Sequence, residues 1–192
     1  MALRENAEQR GKLGFVGLIA AALLVGGAIA ADGQAARTIN GIAGLLWIAA
    51  GAAVVWSLRG DEGFLPRLLV SGGLTLTLVL ITRPSDYLSA AIGFTVAGAV
   101  IAATAPGRER IWAVTVPALW LPVHLAVALA RVADRALRDL PAHVRTEPPP
   151  TSALVPLVMV IAAWLGGAVF SLVRSRTAGQ ATTREGRSGR GA

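Results

Sequence analysis

The chain has 192 residues, of which 54% are hydrophobic and only 15% charged, with a net charge of +7 at pH 7 and no cysteine. Soluble domains carry roughly 25% charged residues, so an ordinary water-soluble globule is excluded, and without cysteine there is no disulfide, thiolate catalysis or cysteine metal site. A membrane span takes about 20 residues, so the length allows six or seven spans with short loops and leaves no room for a soluble catalytic domain.

Apolar runs cover residues 13–31, 39–58, 68–81, 87–105, 111–130 and 153–173. They predict an all-α polytopic membrane helix bundle of six transmembrane helices. Residues 1–12 read as a cytoplasmic N-terminal segment. Arg4, Arg10 and Lys12 before the first run, and Ala28, Ile29 and Ala30 near its end, have the form of a secretory signal. The run is longer than a signal core, so it is read as a retained first span. The third run is short, because Arg67 and Arg83 bracket about 15 residues, or ~22 Å of helix. It crosses if the arginines snorkel, if the bilayer thins, or if residues 64–66 extend it, with Pro66 tolerated in a first helical turn. The fifth run holds Pro117, Pro122 and His124. It still reads as a span, since neighbouring helices can satisfy carbonyls freed by proline. Trp112 near its start and Arg131, Asp134 and Arg135 at its end read as interfacial anchors.

Residues 131–152 form the one long connection. Val132, Ala133, Ala136, Leu137 and Leu140 share a helical face, and Asp134–Arg138 and Arg135–Asp139 are i,i+4 pairs on the other. The fifth helix is therefore expected to continue to Leu140 and to stop at Pro141. Pro148, Pro149 and Pro150 then make a stiff spacer. Val132, Leu137 and Leu140 are candidate partner-docking residues, with a solvated helix end as the plainer alternative. Residues 174–192, with five arginines and no apolar period, are expected to be a disordered basic tail that touches anionic headgroups or a partner.

Six spans divide the basic residues unequally. One side holds Arg4, Arg10, Lys12, Arg59, Arg67, Arg108, Arg110, Arg174, Arg176, Arg184, Arg187 and Arg190, and the other holds Arg37, Arg83, Arg131, Arg135, Arg138 and Arg145, which is 12 against 6. The positive-inside rule then sets both termini in the cytoplasm. This use of the charge leaves no nucleic-acid partner to propose; the expected partners are the lipid bilayer and other membrane subunits. Lys12 is the only lysine, and arginine-for-lysine use with abundant Ala and Gly suggests a bacterial chain, hence the bacterial inner membrane.

The short connections 32–38 and 82–86 make antiparallel neighbours, so the six helices read as three helical hairpins. Residues 45–54, 92–101 and 161–170 align with Gly51, Gly98 and Gly167 in register, each followed by alanine, the first two 47 residues apart. Fixed spacing marks duplicated units, although any Ala- and Gly-rich helices align somewhere. In either case these glycines are candidate helix-packing positions. With Ile81, Thr82, Arg83, Pro84, Ser85 and Asp86 in the tight second loop, the pattern over residues 13–173 resembles the HdeD-like acid-resistance membrane proteins, small six-span bacterial proteins built from a repeated hairpin. The resemblance implies a cytoplasmic-membrane protein of stress or acid tolerance and no catalytic residues. The 22-residue connection 131–152 departs from that pattern.

Asp32, Gly33, Gln34, Ala35, Ala36 and Arg37 match the D-G-x-x-A-R core of the CDP-alcohol phosphotransferases, whose chemistry needs several aspartates around divalent metals. Ile29 stands where that family has an earlier aspartate, and residues 40–58 contain no acid, so no metal cage forms and no enzyme is expected. His124 is a candidate intramembrane polar residue, but a haem or metal site would want a second imidazole, and His143 lies in the long connection. Thr75, Thr77, Thr95 and Thr115 are the other candidates. No span centre carries Asp, Glu, Lys or Arg, which argues against ion-coupled transport. The expectation is a non-enzymatic membrane protein without cofactor or metal, acting alone in envelope stress. The alternatives are an accessory subunit of a larger membrane complex, or a passive channel or carrier lined by the threonines and His124.

Overall fold

A computed structural model of the chain describes residues 2–28, 33–81, 87–137 and 155–188, with side chains described for 9–28, 33–81, 87–130 and 155–177. Six helices follow one another: α1 Ala2–Ala28, α2 Gly33–Leu58, α3 Phe64–Ile81, α4 Tyr87–Ala103, α5 Glu109–Leu137 and α6 Val155–Ser188. Five contain a stretch long and apolar enough to cross a membrane: Gln9–Ala28, Gly33–Leu58, Phe64–Ile81, Glu109–Ala130 and Val155–Thr177. The remaining apolar helix, α4, has 17 residues, or ~25 Å at 1.5 Å per residue.

Helix ends differ from the apolar runs in instructive ways. α3 gains its length at the start, where Pro66 lies in the first turn and its missing N–H costs no helical bond. α2 begins at Gly33, so Arg37 and Thr38 belong to a helix and not to a loop; the Thr38 hydroxyl donates to the Gln34 carbonyl at 3.1 Å. α1 starts at Ala2 because Ala, Leu, Glu, Gln, Arg and Lys before Leu13 are good helix formers. α6 runs on to Ser188, where an unstructured tail was expected from Arg174. Once the apolar part has nucleated a helix, each further residue adds one bond, so loss of hydropathy does not end it. α5 is described to Leu137; Leu140, Pro141 and the proline spacer lie outside the described residues.

The helices do not pair as three equivalent hairpins. α1 and α2 pack along their length, but α3 and α4 touch sparingly, α4 lies chiefly on α6, and α3 lies chiefly on α5. α5 is the hub, in contact with each of the other five helices. Its residues from Trp112 to Ala118 are buried without a break, so the first half of the proline-bearing helix lies at the centre of the bundle.

What is buried is small, and what is exposed is large. Among the described residues alanine fills more than half of the buried apolar positions, including Ala50, Ala97, Ala113 and Ala163, while Leu45, Leu69, Leu88, Val96, Leu129 and Val169 are each more than half exposed. Burying such a side chain yields about 1.5–3 kcal/mol. Exposed on every one of the six helices, these side chains form an apolar surface that a water-soluble monomer rarely carries. In hydrocarbon such a surface matches its surroundings, and close contact of small residues is what holds helices together there.

Candidate functional site

Two turns at the same end of the bundle build its main polar cluster. The α2–α3 turn (residues 59–63) closes with Asp61 N–H on the Leu58 carbonyl at 2.9 Å and Phe64 N–H on the Asp61 carbonyl at 3.1 Å. Gly63 has φ +67°, and in the α4–α5 turn Gly107 has φ +83°. Both are values that a residue with a Cβ adopts only under strain. The two turns meet through one carboxylate. Asp61 Oδ1 accepts from the Arg108 guanidinium, and Asp61 Oδ2 accepts from the Trp112 indole N–H at 2.9 Å. Arg108 Nη2 also donates to the Ser57 carbonyl at 3.3 Å. Arg108 and Trp112 stand four residues apart at the start of α5, so one helical face presents both donors.

This end also gathers the other helices. Phe64 packs on Trp112 with ring centroids 6.0 Å apart. The Arg67 guanidinium lies 5.7 Å above the same ring and donates to the Glu62 carbonyl at 2.6 Å. Glu109 accepts from Gly107 N–H at 2.9 Å and pairs with Arg174 of α6 at 3.6 Å. Arg110 sits 5.5 Å over Trp164 of α6, which stacks on Phe15 of α1. Trp112 is therefore not the interfacial anchor that its position suggested, since it is fully buried. Trp56, by contrast, is 53% exposed with Arg59 stacked 3.9 Å above its ring.

Deeper in the bundle, hydroxyls bind α3 to α5. Thr115 donates to the Trp112 carbonyl at 2.6 Å, which makes Ser71 the donor in the 2.7 Å contact between the two hydroxyls. Thr75 shares its proton between the carbonyls of Ser71 at 2.8 Å and Val116 at 3.0 Å. The Trp47 indole of α2 donates to the Pro117 carbonyl at 3.2 Å. Pro122 deprives the Ala118 carbonyl of its i+4 N–H, and Gly51 of α2 lies against that carbonyl: a Cβ built on Gly51 would stand 2.9 Å from the oxygen. Gly51 thus packs closely against one of the two carbonyls that the prolines free.

The candidate residues separate accordingly. Thr75 and Thr115 come together with Ser71, whereas Thr77 is exposed and bonded to the Gly73 carbonyl at 2.9 Å, and Thr95 is half-buried on α4. His124 faces outward, stacked on Trp120 at 5.2 Å. It therefore does not line a path with the threonines. Gly98 faces the Ala163 backbone on α6, and Gly167 faces α5, where a Cβ would meet the Ala113 Cβ at 2.8 Å and the Glu109 carbonyl at 3.0 Å. The three aligned glycines thus meet different partners: Gly51 and Gly167 meet α5, and Gly98 meets α6. Gly14 and Gly17 of α1 and Gly166 of α6 sit at equally close crossings that the repeat did not mark. Val132 and Leu137 fall in the last turns of α5, where side chains are not described, and Leu140 lies outside the described residues.

Among the described residues no group of three His, Asp or Glu side chains converges, and every buried side-chain polar atom has a partner. The residues that sequence reasoning missed are Asp61, Arg108, Ser71 and Trp47. The available signal for the first two was the spacing of Arg108 and Trp112 beside the only acids between the second and third runs. Comparison with known protein families, with curated proteins and with solved structures finds no match.

Proposed function

We propose that the chain is a six-span protein of the bacterial cytoplasmic membrane, with both termini in the cytoplasm, that acts without catalysis as a structural element of the envelope under stress. The observation that carries the reading is the inverted distribution of size, with alanine and glycine at helix crossings and a collar of exposed large aliphatic side chains. The Asp61 cluster marks the arginine-rich end, which the positive-inside rule assigns to the cytoplasm. α4 completes the sixth span by local thinning of the bilayer around its shorter length. The polar side chains of the interior are spent on joining helices, so the working surfaces are those that meet lipid and protein neighbours.

Reporter fusions test the topology: one after Pro150 reads external and one at the C-terminus reads cytoplasmic. The same side for both would overturn the six-span reading. The stress role is tested by acid challenge of cells lacking the chain. Survival falls and returns with the reintroduced gene, whereas unchanged survival sinks this role and favours an accessory subunit, which would co-purify with a stoichiometric partner in mild detergent.

A further inference from the structure

Beside the Asp61 cluster, the ends of α4 and α6 enclose a groove of about 310 Å³ lined by Ala103, Pro106, Phe170, Val173, Arg174 and Thr177. Its α6 wall is a single helical face, since residues 170, 173, 174 and 177 follow the i, i+3, i+4, i+7 spacing. The wall changes chemistry along its length, from the apolar Phe170 and Val173 to the cationic Arg174 and hydroxylated Thr177. The groove opens onto the exposed collar. Val96 and Val100, on the same face of α4 as Ala103, are 56% and 44% exposed, and Val169 beside Phe170 is 57% exposed.

We propose that this groove holds one anionic phospholipid, with the phosphate on Arg174 and an acyl chain on Phe170, Val173 and the Val96–Val100 strip of α4. The proposal rests on the membrane reading above and adds a specific lipid position to it. Charge complementarity selects the occupant. Arg174 is nearly half exposed, and its carboxylate neighbour among the described residues, Glu109, stands 3.6 Å away while also accepting from Gly107. A guanidinium has five N–H donors in a fork that matches phosphate oxygens, so a loose contact with one carboxylate leaves donors for a headgroup. Arg174 also lies in the last turn of the apolar stretch Val155–Thr177, and an arginine near the end of a span reaches the headgroup level. A zwitterionic lipid would bring a second cation to the same arginine.

The test counts phospholipid retained by the full-length protein in detergent, by native mass spectrometry with phosphatidylglycerol or phosphatidylcholine as the probe. The unaltered chain keeps one phosphatidylglycerol in preference to phosphatidylcholine. Arg174→Gln weakens that retention about fivefold, the worth of one basic residue near an anionic surface. Arg37→Gln, at the opposite end, leaves it unchanged, and Glu109→Gln strengthens it by removing the competing charge while keeping an acceptor for Gly107. Equal retention by Arg174→Gln, equal losses from Arg174→Gln and Arg37→Gln, or weaker retention by Glu109→Gln would each overturn the site. Insertion into pure phosphatidylcholine vesicles reads the membrane reading separately, because it does not require the anionic lipid.

Discussion

The two halves of α5 are nearly equal in apolar content and opposite in fate. The first half, around Trp112–Ala118, is enclosed on all sides and tied by side chain to α2 and α3. The second half, around Leu125 and Leu129, stands open to its surroundings. Hydropathy does not separate them. What separates them is that the first half supplies a serine partner and a tryptophan N–H bonded to other elements, while the second, with Ala126, Ala128 and Ala130 exposed beside Leu125 and Leu129, turns its one imidazole outward. Polar groups that bond between helices mark the protein interior.

Breaking the enclosed half gives the largest effect. Trp112→Ala removes the biggest fully buried side chain together with its bond to Asp61, and is expected to cost about 3–5 kcal/mol, read as a fall in the unfolding midpoint in detergent. Asp61→Ala comes next. It leaves the Arg108 guanidinium and the Trp112 N–H without their carboxylate, and at a partly exposed site the loss is about 2 kcal/mol; Asp61→Asn, which keeps one acceptor oxygen, loses less. An equal midpoint for Asp61→Ala and the unaltered chain would mean that the two turns are not held through this carboxylate.

Thr115→Val tests the deeper contact. Interhelical hydrogen bonds in membranes are worth about 0.6 kcal/mol on average and up to about 1.7, so the midpoint falls slightly, and Ser71→Ala on top of it adds little because the two hydroxyls share one bond. The smallest effects belong to the open half: Leu129→Ala and His124→Ala each stay within about 0.5 kcal/mol. A loss from Leu129→Ala as large as that from Trp112→Ala would erase the contrast between the halves and would indicate that the open half is buried against something.

The sequence made the six helices legible because apolar runs of spanning length and their arginine borders are local features. The 64–66 extension of α3 was legible too, from the tolerance of a first turn for proline. Pairing was not. The tight second connection makes α3 and α4 neighbours in sequence, but α4 follows its glycine to α6, where Gly98 and Gly166 let two backbones touch, and nothing in either helix names its partner. The aligned Gly51, Gly98 and Gly167 do lie at close crossings, yet they face two different helices, so register alone did not say what they meet. Trp112 misled because a tryptophan near an arginine at a helix end has the same local signature whether it faces lipid or a buried aspartate. Only the distant Asp61 decides between them.

If the collar meets lipid and the Asp61 end faces the cytoplasm, the two ends and the middle of the bundle differ in their access to water. The chain contains no cysteine, so single cysteines report position directly. Gln34→Cys, Glu62→Cys and Val96→Cys replace exposed residues at the far end, at the Asp61 end and in the collar. With a membrane-impermeant maleimide on intact cells, Gln34→Cys labels at once, Glu62→Cys labels only after the membrane is permeabilised, and Val96→Cys resists in both conditions. Rapid labelling of Val96→Cys, or labelling of Gln34→Cys and Glu62→Cys from the same side, would contradict the account.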